Sequence, residues 1–301
     1  MQFQIDFAQS KTQTFLKPSD TLNNKRLKGV AISETAIATG ALIGLNQLWY
    51  ADYPQSNLHS INDSEEWLQM DKVGHMFSAY HIGSFGYNAL QWSGCSEKYK
   101  LVYGSTIGLA FMSVVEVFDG YSAEWGFSWG DMAANASGTA LFVSQELIWK
   151  EQRITPKFSF HTTSYAPLRP NVLGSSLSEQ LLKDYNGQTY WLSANMGSFF
   201  KSTKIPKWLN VAVGYGATGM LTGNAENNAI NSSFETKRTR QFYLSLDADL
   251  TKINTKSHFL STFFAVFNTI KIPAPTLEIS GLHGIKFHYM YWGGMNIRNS
   301  E

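Results

Sequence analysis

Residues 114–141 read VVEVFDGYSAEWGFSWGDMAANASGTAL, and residues 67–83 read WLQMDKVGHMFSAYHIG. The first stretch carries the end of one apolar helix, with Glu116 and Asp119 three apart, and then a polar turn. A second helix follows, opened by Ser128 with Asp131 three residues on, a capping-box-like start. The other stretch opens a helix in which Asp71 and His75, four apart, share a face. Working outward, helical periodicity covers residues 29–50, 70–92, 99–118 and 128–152. Each segment is about 20 residues, enough to reach roughly 30 Å, the thickness of a bilayer core. Gly40, Gly44, Gly83, Gly86, Gly104, Gly108 and Gly138 recur at spacings that permit close helix contact. The expected fold is therefore mainly α: an antiparallel four-helix membrane-associated bundle with a small β-rich C-terminal region, α+β overall.

Composition sets the surroundings of that reading. Among 301 residues, charged residues are 16% and aromatics 14%, and the net charge is +1. Such a balance excludes a protein that grips nucleic acid by a large basic surface. One cysteine, Cys95, excludes an intrachain disulfide framework. No Walker loop, nucleophile elbow, H-E-x-x-H or dinucleotide fingerprint is present, so no nucleotide cofactor is expected. If the helices run up and down, Lys25, Arg26, Lys28, Lys98, Lys100, Lys150, Arg153 and Lys157 gather at one end. Asp52, Asp63, Glu65, Glu66, Asp71, Asp119, Glu124 and Asp131 gather at the other, with Lys72 the only Lys or Arg among them. That asymmetry fits a bundle beside a membrane; helix termini complementing their dipoles explain part of it.

Four regions are expected: residues 1–27 as a disordered terminus or signal remnant, 28–153 as the bundle, 154–187 as a linker with one short helix, and 188–301 as the β-rich region. The linker reading rests on the Pro- and Thr-punctuated ITPKFSFHTTSYAPLRPN at 154–171. Beyond it, residues 208–221 and 241–251 alternate apolar and polar, 189–199 does so more weakly, and 277–292 reads as a hairpin. About five strands fall short of the eight that a single-chain membrane barrel needs, so a small sheet packed on the bundle is expected.

Antiparallel topology brings the start of the second helix, the end of the third and the start of the fourth to one end. Asp71, Lys72, His75, Glu116, Asp119, Asp131 and Asn135 are gathered there. Three chemistries fit. Asp71, His75, Glu116, Asp119 and Asp131 offer hard oxygens and one imidazole to a divalent cation. Alternatively, His75 oriented by Asp71, with Lys72 and Glu116 beside it, forms an acid–base catalytic group. The third reading is a capping and salt-bridge network, in which Ser128, Asn135 and Gly138 are structural. No cofactor other than a divalent cation is indicated.

The segments DKVGH (71–75), EVFDG (116–120), WGFSWGD (125–131) and MAANASGTAL (132–141) resemble the uncharacterised YfiM-like family of predicted periplasmic lipoproteins, in its longer Bacteroidetes envelope form. The resemblance covers roughly residues 30–150. A more distant likeness, to VanZ-like membrane proteins, rests on Asp71, Lys72 and His75 followed by Asp131, Asn135 and Gly138. Neither family has an established reaction. The likeness implies the cell envelope (periplasm, outer-membrane association or inner membrane) and membrane lipid or envelope proteins as partners. The chain departs from the lipoprotein pattern in lacking a lipobox cysteine near its start. The functional expectation is a structural or interaction role in the envelope; the alternative is a metal- or His-assisted hydrolase acting on a lipid or cell-wall precursor.

Overall fold

Asn23 accepts hydrogen bonds from the backbone N–H groups of Lys25 and Arg26, and so caps helix α1, Asn24–Leu45. It continues through a wider turn, Asn46–Tyr50. Helix α2 spans Met70–Trp92. Helix α3, Ile107–Gly120, follows the short turns Glu97–Tyr99 and Lys100–Gly104. Helix α4, Trp129–Trp149, is capped by Ser128 and stopped by Lys150 in the left-handed conformation. Later come α5, Leu177–Lys183, with a complete capping box at Ser176 and Glu179, and α6, His258–Phe267. The computed structural model describes residues 15–51, 53–200, 204–226, 228–231, 234–282 and 284–291. The first fourteen residues of the expected disordered terminus lie outside these. The chain divides into two units, one of residues 1–62, 75–152 and 254–267, the other of 63–74, 153–253 and 268–301.

In the first unit, α2 and α4 share a core around Tyr80, Tyr87 and Phe142, with Leu101 of the turn before α3 packed against it. Gly138 sets how closely α4 crosses α2: a Cβ there would stand 2.1 Å from the carbonyl oxygen of Met76. A two-residue parallel pairing of Ser60–Ile61 with Phe127–Ser128 pins the approach to α4. Residues 29–50 do not behave as the fourth member of a bundle, because α1 buries only Val30. Two helical runs, Asn24–Tyr50 and Glu97–Gly120, have the length and apolarity to cross a bilayer, but by composition alone.

The second unit is where the expected fold fails. The four-helix membrane-associated bundle with a minor β region is overturned by a six-stranded antiparallel sheet, ordered β6-β5-β4-β3-β2-β1. Its strands are β1 Ile154–Phe160, β2 Gln188–Asn195, β3 Leu209–Thr218, β4 Thr239–Ala248, β5 Thr276–Ser280 and β6 Gly284–His288. Strand β1 lies inside the stretch expected to be a linker. Pro156 is tolerated because β1 is the last strand in the ladder, and the residues that alternate with it, Thr155 and Lys157, are buried. Lys157, placed by sequence at a basic bundle end, is instead a fully buried residue of this sheet.

The sheet curls. Register sets Lys157 opposite Trp191, Trp191 opposite Gly214, and Gly214 opposite Tyr243. A flat sheet would hold β1 and β4 about 14 Å apart, three strand spacings. Yet Lys157 Nζ reaches Asp247 Oδ2 at 2.9 Å and the carbonyl of Ala248 at 2.7 Å. Phe158 is bonded on its free side as well: its N–H donates to Thr269, and Lys271 N–H donates to its carbonyl. From there the chain runs into β5, beside β4. Trp191 fills the interior over Gly214, where a Cβ would lie 2.6 Å from the indole ring. Tyr243 and Tyr291 complete that small aromatic core.

Candidate metal centre

His75 sits at the start of the part of α2 that belongs to the first unit, and the close crossing at Gly138 brings α4 beside it. One turn before Gly138, Asn135 places its Oδ1 3.1 Å from His75 Nδ1. From the end of α3, Glu116 places Oε1 3.4 Å from the same nitrogen. The other Glu116 oxygen accepts the backbone N–H of Ser128 at 3.1 Å, while the Ser128 hydroxyl accepts from Asp131 N–H at 3.1 Å. The capping residue of α4 therefore also orients Glu116. Exposure is 9% at His75, 1% at Glu116, 3% at Asp131 and 0% at Asn135.

Potential ligand atoms of His75 and Asp131 lie within 4.8 Å of one another, and the same holds for His75 and Asp71, one turn earlier on α2. Asp71 also accepts a hydrogen bond from the Tyr185 hydroxyl. Two buried atoms in this neighbourhood make no hydrogen bond: Glu116 Oε1 and Asn135 Nδ2. Burial pushes the Glu116 carboxyl up to about 8; Asp119 and Asp131 add to the rise, while His75 and the Ser128 N–H oppose it. Desolvation of this dry carboxyl outweighs the opposing pull of the His75 imidazole beside it.

The remaining predicted residues have other employment. Asp119 accepts from the Tyr50 hydroxyl at 2.7 Å. Lys72 pairs with Asp63 at 2.9 Å rather than with His75. Ser128 is a helix cap and Gly138 a helix crossing, as described above. The structure thus draws His75, Glu116, Asp131 and Asn135 together; Asp119 bonds to Tyr50 and raises the Glu116 carboxyl from nearby, and Lys72 pairs with Asp63.

Two polar assemblies were missed by the sequence reading. Tyr87 donates to Glu97 at 3.0 Å and lies 3.3 Å from Glu146, beside a Lys100–Glu97 pair at 2.6 Å. The i, i+3 spacing of Glu97 and Lys100 was the available signal. In the sheet, Asp247 joins Lys157 at 2.9 Å and Lys271 at 3.8 Å. The polar alternation of Thr155, Lys157 and Ser159 was visible, but Pro156 disguised it.

Residues 61–145 match the family described as predicted periplasmic lipoprotein (DUF2279). The resemblance carried by DKVGH, EVFDG, WGFSWGD and MAANASGTAL stands, since all four segments fall within the match. The description of that family is consistent with the expected cell-envelope setting, in the periplasm or in association with the outer membrane. No curated protein and no solved structure matches this chain.

Proposed function

We propose, for a cell-envelope chain whose residues 61–145 carry the predicted periplasmic lipoprotein signature, that the His75 cluster binds a divalent cation in a structural role. The observation that carries this reading is the unbonded Glu116 Oε1, in a residue 1% exposed, 3.4 Å from an imidazole nitrogen. An acceptor buried without a donor costs about 1–3 kcal/mol, and a cation removes that cost. Asn135 Nδ2 is a donor, which a cation cannot satisfy but a water bound to the cation can. Carboxylate oxygens with one imidazole suit ions of intermediate hardness, such as manganese or zinc. The burial of Glu116, Asp131 and Asn135 favours a held ion over one that must meet a substrate, so the structural role is preferred to hydrolysis.

The test is metal content of the purified full-length protein, together with melting temperature with and without chelator. Wild type should contain about one equivalent of ion and melt lower with chelator. His75→Ala should lose the ion and become insensitive to chelator. Ion-free wild type that ignores both chelator and added manganese or zinc would sink the reading and leave a capping network.

A further inference from the structure

We propose that the outward face of the six-stranded sheet is seated in the acyl chains of a lipid bilayer. This rests on the second unit alone and is independent of the cation site. Along β3, Asn210, Ala212, Gly214 and Gly216 are buried, while Val211, Val213 and Tyr215 on the alternate face are partly or fully exposed. In β4, Tyr243, Ser245 and Asp247 are buried, whereas Phe242, Leu244 and Leu246 are 51%, 49% and 47% exposed. The same sorting continues at the far edge, with Glu278 buried and Ile279, Ile285 and Phe287 exposed. A sheet in water turns its apolar side chains inward and its polar ones outward. Here the inward rows hold Ser193, Asn210, Ser245, Asp247 and Glu278 beside the Trp191–Tyr243 core, while the outward rows of β2 to β6 are mostly apolar, with Tyr190 and Tyr215 at one end packed against Trp67, Leu68 and Met70.

Charge agrees with the same occupant. The ionisable strand residues Lys157, Asp247, Glu278, Lys286 and His288 alternate with the apolar outward row. Among the Asp, Glu, Lys, Arg and His residues of these strands, Arg240, near the start of β4, alone stands in the outward row. An uncharged row bounded by one arginine fits hydrocarbon bounded by headgroups. Size fits too. Strands β3 and β4 are 10 residues each, the length of strand that crosses a bilayer core at a tilt. The five strands β2 to β6 at about 4.8 Å spacing give a face roughly 19 Å wide, well beyond the scattered apolar patches of a soluble surface. The curl that joins Lys157 to Asp247 makes this face convex. Fluid chains cover a convex apolar surface more readily than a second rigid sheet does.

The experiment uses the full chain with Cys95→Ser, so that a single introduced cysteine carries a nitroxide label. Labels are placed by Val213→Cys, Leu244→Cys or Ile279→Cys on the apolar face, and by Lys237→Cys as an exposed reference. Each protein is reconstituted into phosphatidylethanolamine and phosphatidylglycerol vesicles, and collision with oxygen and with a water-soluble nickel chelate is measured. The three face positions should collide with oxygen several-fold more, and with nickel several-fold less, than position 237. Nickel access equal to that at position 237 would overturn the proposal. So would exclusion of both reagents with spin–spin broadening, which would mean that a second copy of the chain covers the face. All four substitutions are at exposed positions, and the circular dichroism of each variant, compared with wild type, verifies the fold.

Discussion

Both units bury polar groups, and they complete them differently. In the sheet, Asp247 gives one oxygen to Lys157 and the Ser193 hydroxyl, and the other to the backbone N–H of Ile272. The chain of bonds runs on through Asn210 donating to Ser193 and Asn195 donating to Asn210, both at 2.8 Å. Lys271 is satisfied by the carbonyls of Leu246 and Ile272. In the helical unit, Glu116 Oε1, Asn135 Nδ2, Thr139 Oγ1 and Ser105 Oγ are buried and unbonded; among the described residues of the sheet unit, His161 Nδ1 alone shares that state. A closed network is architecture, because every member already has what it needs. An open one is room for something else. The sheet interior therefore reads as structure, and the His75 cluster as a site.

The largest effect that could break this contrast is Asp247→Ala. If the network is closed and dry, the substitution leaves Lys157 and Lys271 buried without their counter-charge. Stranding a buried charge costs about 3–5 kcal/mol. The midpoint of denaturant unfolding, followed by a probe on the sheet, should fall accordingly. A loss below about 1 kcal/mol would mean that water already enters the interior and that the network is no more closed than the cluster at His75.

The next effect sharpens the contrast through pH. Glu116 in the folded protein titrates near 8, above the ordinary carboxyl value of 4.5. The native state therefore holds a proton that the unfolded chain releases between these values. Without metal, the helical unit should be fully stabilised below about 4.5 and lose stability as pH rises through 8, by a few kcal/mol at most. Glu116→Gln should flatten that slope, and added manganese or zinc should restore stability at the alkaline end by replacing the proton. Thermal melts between pH 5 and 9 check both. A wild-type slope unaltered by Glu116→Gln would put the buried charge elsewhere.

His161 gives the opposite sign in the other unit. Burial lowers its imidazole to about 4 from 6.5. The unfolded chain takes up the proton first, so stability is complete above 6.5 and declines as pH falls towards 4. The decline is about 2 kcal/mol or less, because His161 remains partly exposed. His161→Gln should abolish the acid-side decline without touching the alkaline one, which separates the two titrations by unit.

These expectations also mark where the sequence was legible. Helix α2 was read to its true ends, and Ser128 was read as a cap, because both depend on local periodicity and side-chain reach within one turn. The gathering of His75, Glu116, Asp131 and Asn135 was legible because it follows from antiparallel neighbours. The fold as a whole was not. A sheet with Lys157, Asp247 and Glu278 inside and Leu244 and Ile279 outside has the usual two-residue period with its polarity inverted. Period can be read from a chain, but which face is the interior cannot when the usual assignment is reversed. The ion pair between β1 and β4 spans 90 residues of sequence, and no local pattern announces it. Asp119 and Lys72 were assigned to the site by helix end alone; the structure bonds them to the hydroxyl of Tyr50 and the carboxylate of Asp63, contacts that helix ends do not announce.

The smallest effect divides cap from ligand at the junction where they meet. Ser128 does two things: its hydroxyl accepts the N–H of Asp131, and its own backbone N–H donates to Glu116. Ser128→Ala removes the first and leaves the second, since every residue but proline has that N–H. Loss of a helix N-cap costs about 1 kcal/mol. The melting temperature should therefore drop by a few degrees while the metal content stays near one equivalent, because Glu116 keeps its orienting donor and His75 its place beside Asn135. If instead the metal is lost with the hydroxyl, Ser128 belongs to the site and the cap is part of the binding machinery. Asp131, one turn into α4, would then owe its position to that single hydrogen bond. Asp131→Asn is the companion variant: it keeps the backbone N–H that Ser128 caps and removes the charge. Weaker metal uptake with little change in melting without metal would assign Asp131 to the ion, and Ser128 to the helix.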